Sequence, residues 1–154
     1  MNGESEKSAY QEHRQFSTFT VAKRLYGIDV IKVQEVVRPM AMTQVPLAPV
    51  FVKGLINLRG QVATAIGLRE LFHLPVGDDK ELMNVVCQYT GSIISLLVDE
   101  IGDVIEVSQR DFEPTPQTIP DTVKQFMKGV YKVSDTLLSV LDLDTVLKFV
   151  NKKK

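Results

Sequence analysis

An internal repeat constrains this chain more than any other feature. The stretch FVKGLINLRGQVATAIGLRELF, Phe51 to Phe72, returns 75 residues later as FMKGVYKVSDTLLSVLDLDTVL, Phe126 to Leu147, without a gap. Phe51, Lys53, Gly54 and Leu68 recur as Phe126, Lys128, Gly129 and Leu143. All twelve apolar positions of the first copy stay apolar in the second, and the ten polar or glycine positions stay polar or glycine. Conservation of the whole binary pattern points to tandem duplication of one supersecondary unit. Two related halves are therefore expected.

Each copy reads as strand, tight turn, strand and short helix. Ile56 and Leu58 alternate with Asn57 and Arg59, and Val62, Thr64 and Ile66 alternate with Ala63 and Ala65, the two-residue period of half-buried strands. Gly60-Gln61 supplies the residue that tolerates positive φ in a two-residue hairpin turn. Gly67 falls at the N-cap position of the following helix. In the second copy Asp142 holds that place, where its carboxylate accepts from the free amides of the helix start.

The rest of the chain extends the same programme. FSTFTV from Phe16 alternates and is rich in β-branched and aromatic residues, and LYGIDV is its partner strand across a Lys23-Arg24 turn. IKVQEVV suits either a short helical turn or a twisted strand. In the second half NVVCQYT and SIISLLV flank Gly91 as a hairpin, and DEIGDVIEV follows with a turn at Gly102. Many short strands without a long helix imply a mainly β chain of small closed barrels. The expected layout is a polar tail over 1–15, a first barrel over 16–80, a second over 81–150 and a basic end over 151–154, with the junction at Gly77 to Lys80. Units of this size are marginal alone, so the two are expected to share an interface.

Composition narrows the function. A net charge of -1 with 24% charged and 7% aromatic residues gives no field or stacking surface for nucleic acid. Apolar runs stay far short of the roughly 20 residues of a membrane span, and MNGESEKSAYQEHRQ lacks the apolar core of a signal peptide, so a cytoplasmic location is expected. The single cysteine, Cys87, lies in a predicted strand and reads as a buried structural residue. His13 and His73 have no second ligand at metal spacing, no glycine run forms a phosphate loop, and Asp99, Glu100 and Asp103 lack the spacing of a calcium site. No catalysis, metal or cofactor is expected.

Four motifs in order, YGIDVIKVQEV, VKGLINLRGQV, LLVDEIGDVIEV and FMKGVYKVSDTLLSVLDLDTVL, resemble the CheW family of chemotaxis coupling proteins over nearly the whole chain, Phe16 to Phe149. The resemblance implies two tandem SH3-like five-stranded β-barrels with short helices. It implies an adaptor joining the helical tip of a chemoreceptor to the regulatory domain of the histidine kinase CheA, reaching the membrane only through receptors. The alternative is a CheW-like regulatory domain of a larger protein, either a kinase or a coupling protein with a receiver. Two departures stand out. The family has proline and larger apolar residues where this chain has Ala63, Thr64 and Ala65, and an aspartate where it has Gly67.

Arg59 resembles the family's functional arginine, and Glu35 matches its glutamate in VQEV. An ion pair between them would contribute little to stability if exposed. At an interface the same groups would fix orientation, through the planar guanidinium and its charge partner. Asn57 and Gly60 belong with Arg59 at the hairpin. Val30, Val33 and Val36, with Val98 from the other half, are either groove residues for a receptor helix or plain core valines.

Overall fold

The computed structural model describes residues 13–76 and 81–153. In the first half, β1 (His13–Val21) and β2 (Arg24–Asp29) form a hairpin, a 3-10 turn (Val30–Lys32) leads into β3 (Val33–Val37), and the repeat unit follows as β4 (Val52–Leu58), β5 (Gln61–Gly67) and α1 (Leu68–Leu71). The second half has β6 (Met83–Tyr89), β7 (Ser92–Val98), β8 (Glu100–Ser108), a 3-10 turn (Gln109–Asp111) and β9 (Phe112–Glu113). It continues with α2 (Asp121–Lys124), β10 (Met127–Val133), β11 (Thr136–Leu141) and α3 (Leu143–Lys153). The segment IKVQEVV is thus both of its readings in succession, a helical turn and then a strand.

The two halves exchange hairpins. One sheet runs β8-β1-β2-β11-β10-β9 and the other β3-β6-β7-β5-β4. Hairpin β1–β2 of the first half is therefore held by β8 and β11 of the second, and hairpin β6–β7 of the second by β3 and β5 of the first. Each exchange ends in a parallel pairing, β2 with β11 and β7 with β5. The chain crosses between sheets twice, at Val30–Lys32 and at Asp99, the one residue between β7 and β8. The mainly β, SH3-like architecture stands, but the division into 16–80 and 81–150 does not coincide with the sheets. Both halves contribute to both barrels, and the junction expected at Gly77 to Lys80 lies outside the described residues.

The duplicated units match in detail. In both, the register slips by one residue before the repeated glycine, between Val52 and Gly54 and between Met127 and Gly129, so Lys53 and Lys128 are bulge residues. The Gly67 amide donates to the Phe51 carbonyl at 2.8 Å, and the Asp142 amide to the Phe126 carbonyl at 2.8 Å. Asp142 caps α3 through its side chain, accepting from the Thr145 amide at 3.2 Å. Gly67 has no such bond. Its absent Cβ would lie 2.3 Å from Glu70 Oε1, and Glu70 pairs with Lys53 at 2.7 Å. That ion pair occupies the space over the glycine, which accounts for the departure from aspartate.

The largest core cluster joins the barrels rather than filling either one. It packs Phe19 and Tyr26 of one sheet with Ile66, Val85, Cys87 and Leu96 of the other, and adds Leu68, Leu71, Phe72, Leu143, Val146 and Leu147 from the helices and their flanks. The repeat-leading Phe51 and Phe126 both meet Phe149 of α3, with ring centroids 5.5 and 5.2 Å away. Smaller clusters fill the barrels themselves: Ile56, Leu58, Ala63, Ala65, Val86 and Leu97 in one, Phe16, Tyr131, Leu138 and Val140 in the other. The two alanines thus face inward, and Val62, just before them on β5, is exposed.

Three turn expectations shift. The β1–β2 turn is Ala22-Lys23, both at positive φ, rather than Lys23-Arg24. The β4–β5 turn is Arg59-Gly60, with φ of 52° and 93°, because Leu58 pairs with Gln61. Gly102 makes no turn: it lies within β8, where a Cβ would come 2.5 Å from Thr18 Oγ1, so the glycine permits close approach of β1.

Candidate partner-binding site

Arg59 and Glu35 meet across the closure of the barrel built on the five-stranded sheet. Their strands β4 and β3 are the two edges of the five-stranded sheet. After β3 the chain curls round so that Thr43 exchanges backbone hydrogen bonds with Leu55 of β4, at 2.9 and 2.8 Å. The β4–β5 turn is thereby held beside β3. Arg59 Nη2 donates to Glu35 Oε2, and Gln34 Nε2 donates to the same oxygen at 3.3 Å. The Arg59 hydrogen bond, aided by that from Gln34, holds the Glu35 carboxyl below its ordinary value. The Arg59 side chain is 74% exposed and that of Glu35 is 24% exposed.

Asn57 serves the turn rather than the surface charge: its Oδ1 accepts from the Gly60 amide at 2.8 Å. Arg59 sits in a left-handed conformation that costs an L-residue of order 1 kcal/mol. Its counterpart Ser134 takes the same conformation, φ 54°, and builds the same hairpin without an arginine. The guanidinium is therefore dispensable to the turn.

The four valines separate. Val36 is exposed, Val30 and Val33 are half-buried, and Val33 packs against the main core. Val98 is fully buried in that core, so its side chain offers nothing to a partner and the groove expected from it is not formed there. The sequence reading passed over Ile31, which is 83% exposed beside Val30. It also passed over an apolar depression of about 340 Å³ lined by Val45, Pro46, Leu47, Pro49, Val52 and Leu55, with Leu47, Val50 and Val62 projecting into solvent. Their signal in the sequence was the run of apolar residues among Pro46, Pro49 and the turns, where no periodicity gives them a core face. Among the described residues no group of His, Cys, Asp and Glu could hold a metal, and no helix is long and apolar enough to cross a membrane.

A second polar constellation escaped the sequence altogether. Asp99 accepts from Arg69 Nε at 3.2 Å, from Arg69 Nη2 at 2.6 Å and from the Ala22 amide at 2.8 Å, while Arg69 Nη1 donates to the Pro75 carbonyl at 2.7 Å. The Asp99 hydrogen bond raises the Arg69 pKa further. This knot ties α1 to the β1–β2 turn at the place where the chain passes from one sheet to the other.

Comparison with known proteins accords with this architecture. Residues 15–150 match the family model described as CheW-like domain. The chain is 34% identical to chemotaxis protein CheW of Treponema pallidum over 86% of its own length and 81% of that protein. It is 30% identical to chemotaxis protein CheW of Helicobacter pylori over 94% and 87%. The crystal structure of the scaffolding protein TtCheW from Thermoanaerobacter tengcongensis superposes with a TM-score of 0.76 at 30% identity, covering 84% of each chain. With nearly the whole length accounted for by one domain model, and the same two-barrel fold in a solved relative, this chain belongs to the CheW-like family.

Proposed function

We propose that this chain is a chemotaxis coupling adaptor that holds the helical tip of a chemoreceptor and the regulatory domain of the histidine kinase CheA together in the cytoplasm, without catalysis of its own. The observation that carries this reading is the Arg59–Glu35 pair. It is exposed, it closes no core, and it stands on a turn that the duplicated unit builds without it. Charged groups in such a place set orientation and partner choice more than stability.

The surroundings suit two protein partners. Val36 beside Glu35 on β3 and Ile31 on the turn before that strand are exposed apolar side chains for the apolar face of a helix, and the depression around Leu47 gives a separate apolar surface on the same barrel. The relatives named above are matched over more than four fifths of their own length, which supports a free-standing adaptor over a regulatory domain of a larger enzyme.

Replacing Arg59 with alanine tests the reading. The variant is expected to melt within about 2 °C of the parent, as surface substitutions do, and to fail in a ternary pull-down of receptor fragment, adaptor and kinase. A variant that unfolds, or one that assembles the complex like the parent, removes the proposal.

A further inference from the structure

The barrel built on the six-stranded sheet carries a cleft that the adaptor reading does not use. Its volume is about 390 Å³, and its walls include Phe16, Phe112 and Tyr131 with Arg14, Lys32 and Lys128. The three rings form one aromatic wall, Tyr131 lying 5.6 Å from Phe16 and 5.3 Å, edge on, from Phe112. Phe112 is 42% exposed on the two-residue edge strand β9, and the cavity is of the size that takes two or three side chains.

The duplication shows why this cleft is cationic. Lys53 and Lys128 are the same bulge residue in the two copies. In the first copy Lys53 is neutralised by Glu70 at 2.7 Å. The position of Glu70 in the second copy is Thr145, so Lys128 has lost its internal carboxylate and makes no ion pair among the described residues. Arg14 likewise has none. Lys32 is partly offset, with Asp144 at 3.6 Å and the Tyr89 ring 5.8 Å from its Nζ. The acidic lining residue, Asp29, is engaged with the Ile31 amide at 3.1 Å.

We propose that this cleft binds an acidic segment of a protein partner, with an aromatic or aliphatic side chain against Phe112 and Tyr131 and two carboxylates on Arg14 and Lys128. Two cations without an internal carboxylate call for two negative charges, more than one small monoanion supplies. β1 and β10 stand three strand spacings apart in the sheet, at most about 14 Å. An extended chain covers that distance in about four residues, so two acidic residues flanking an apolar one meet both charges at once. The site lies on the barrel that carries neither Arg59 nor Glu35 and is independent of the receptor and kinase assignment.

The probe is a capped peptide, acetyl-Glu-Ala-Phe-Ala-Glu-amide, titrated into the isotope-labelled protein and followed by amide and Tyr131 ring shifts, beside its Gln-Ala-Phe-Ala-Gln counterpart and benzoate. The Glu peptide is expected to shift the signals of Arg14, Phe112, Lys128 and Tyr131, and to bind about tenfold tighter than the Gln peptide at low salt. Combined Arg14→Gln and Lys128→Gln substitution, with an unchanged melting temperature, is expected to abolish the difference between the peptides. Lys128→Arg alone is expected to keep it. Equal binding of the two peptides, shifts confined to other lysines such as Lys148 and Lys152, no binding at millimolar peptide, or benzoate binding as tightly as the Glu peptide each overturns the proposal.

Discussion

Asp99→Ala should destabilise the protein more than any other single loss of a surface-facing charge. The carboxylate sits at the crossing between the sheets and receives three donors, two from Arg69 and the Ala22 amide. Hydrogen bonds to a charged group contribute roughly 1.5–3 kcal/mol each when well shielded. The two side chains retain 17% and 23% of their exposure, so water recovers part of that loss, and a net cost of about 2–3 kcal/mol is reasonable. The cost includes the Ala22 amide, left facing a methyl group in a turn already strained by positive φ. At about 2–4 °C per kcal/mol for a chain of this size, the melting temperature should fall by roughly 5–10 °C. Calorimetry on Asp99→Ala, Arg69→Ala and the double variant gives the coupling directly. The effects should be far from additive, since either single change disables the same bonds. A loss below about 2 °C, or strictly additive effects, would refute the reasoning that this knot fixes the barrels to each other.

Three further outcomes follow from the geometry. Burial pushes the Cys87 thiol up to about 12 from its ordinary 9.0, so thiol reagents at neutral pH should label it only as fast as the protein opens. Because the folded state disfavours the thiolate, its contribution to stability is complete below the ordinary thiol value and is lost as pH rises toward 12; fast labelling of folded protein contradicts this. Gly129→Ala should cost about 1–3 kcal/mol although its φ is not positive, because a Cβ would lie 2.6 Å from the Glu113 carbonyl oxygen and 2.3 Å from the Phe112 ring; Gly54→Ala meets the Thr43 carbonyl at 2.9 Å and should cost about as much. A thermal melt of either variant that matches the parent removes the close-approach argument. The Arg59 bond depresses the Glu35 pKa, so partner assembly that depends on the pair should persist below the ordinary carboxylate range and fail only as pH drops through the depressed value. Pull-downs across an acid series that lose binding at the ordinary carboxylate value would contradict it.

The repeat unit was legible because its signals are local. Alternation around Ile56 and Leu58, the capping carboxylate of Asp142 and the Gly91 turn each specify a conformation within a few residues. The hairpin exchange was not legible: strands β1 and β2 carry the same alternation whichever sheet receives them, and pairing partners such as Leu25 and Leu138 lie more than a hundred residues apart. The turns shifted where Ala22, Lys23 and Arg59 adopt positive φ, against their residue preference. Gly102 reads equally as a turn or as a close approach between strands, and only the position of Thr18 decides. Arg59 with Glu35 came from the family resemblance, and the structure brings the two together. Val98 did not join them, since a valine in an apolar run does not declare which face it takes. Arg69 with Asp99, and the loss of a lysine's partner at Thr145, depend on contacts that no local pattern encodes.

Co-sedimentation of the purified protein with receptor-bearing membranes, with and without CheA, tests the adaptor role most directly. The account predicts that the chain pellets with receptor membranes, that CheA pellets in quantity only when the chain is present, and that Arg59→Ala leaves the kinase in the supernatant. Kinase that sediments equally well without the chain, or a chain that stays soluble in the presence of both partners, would contradict it.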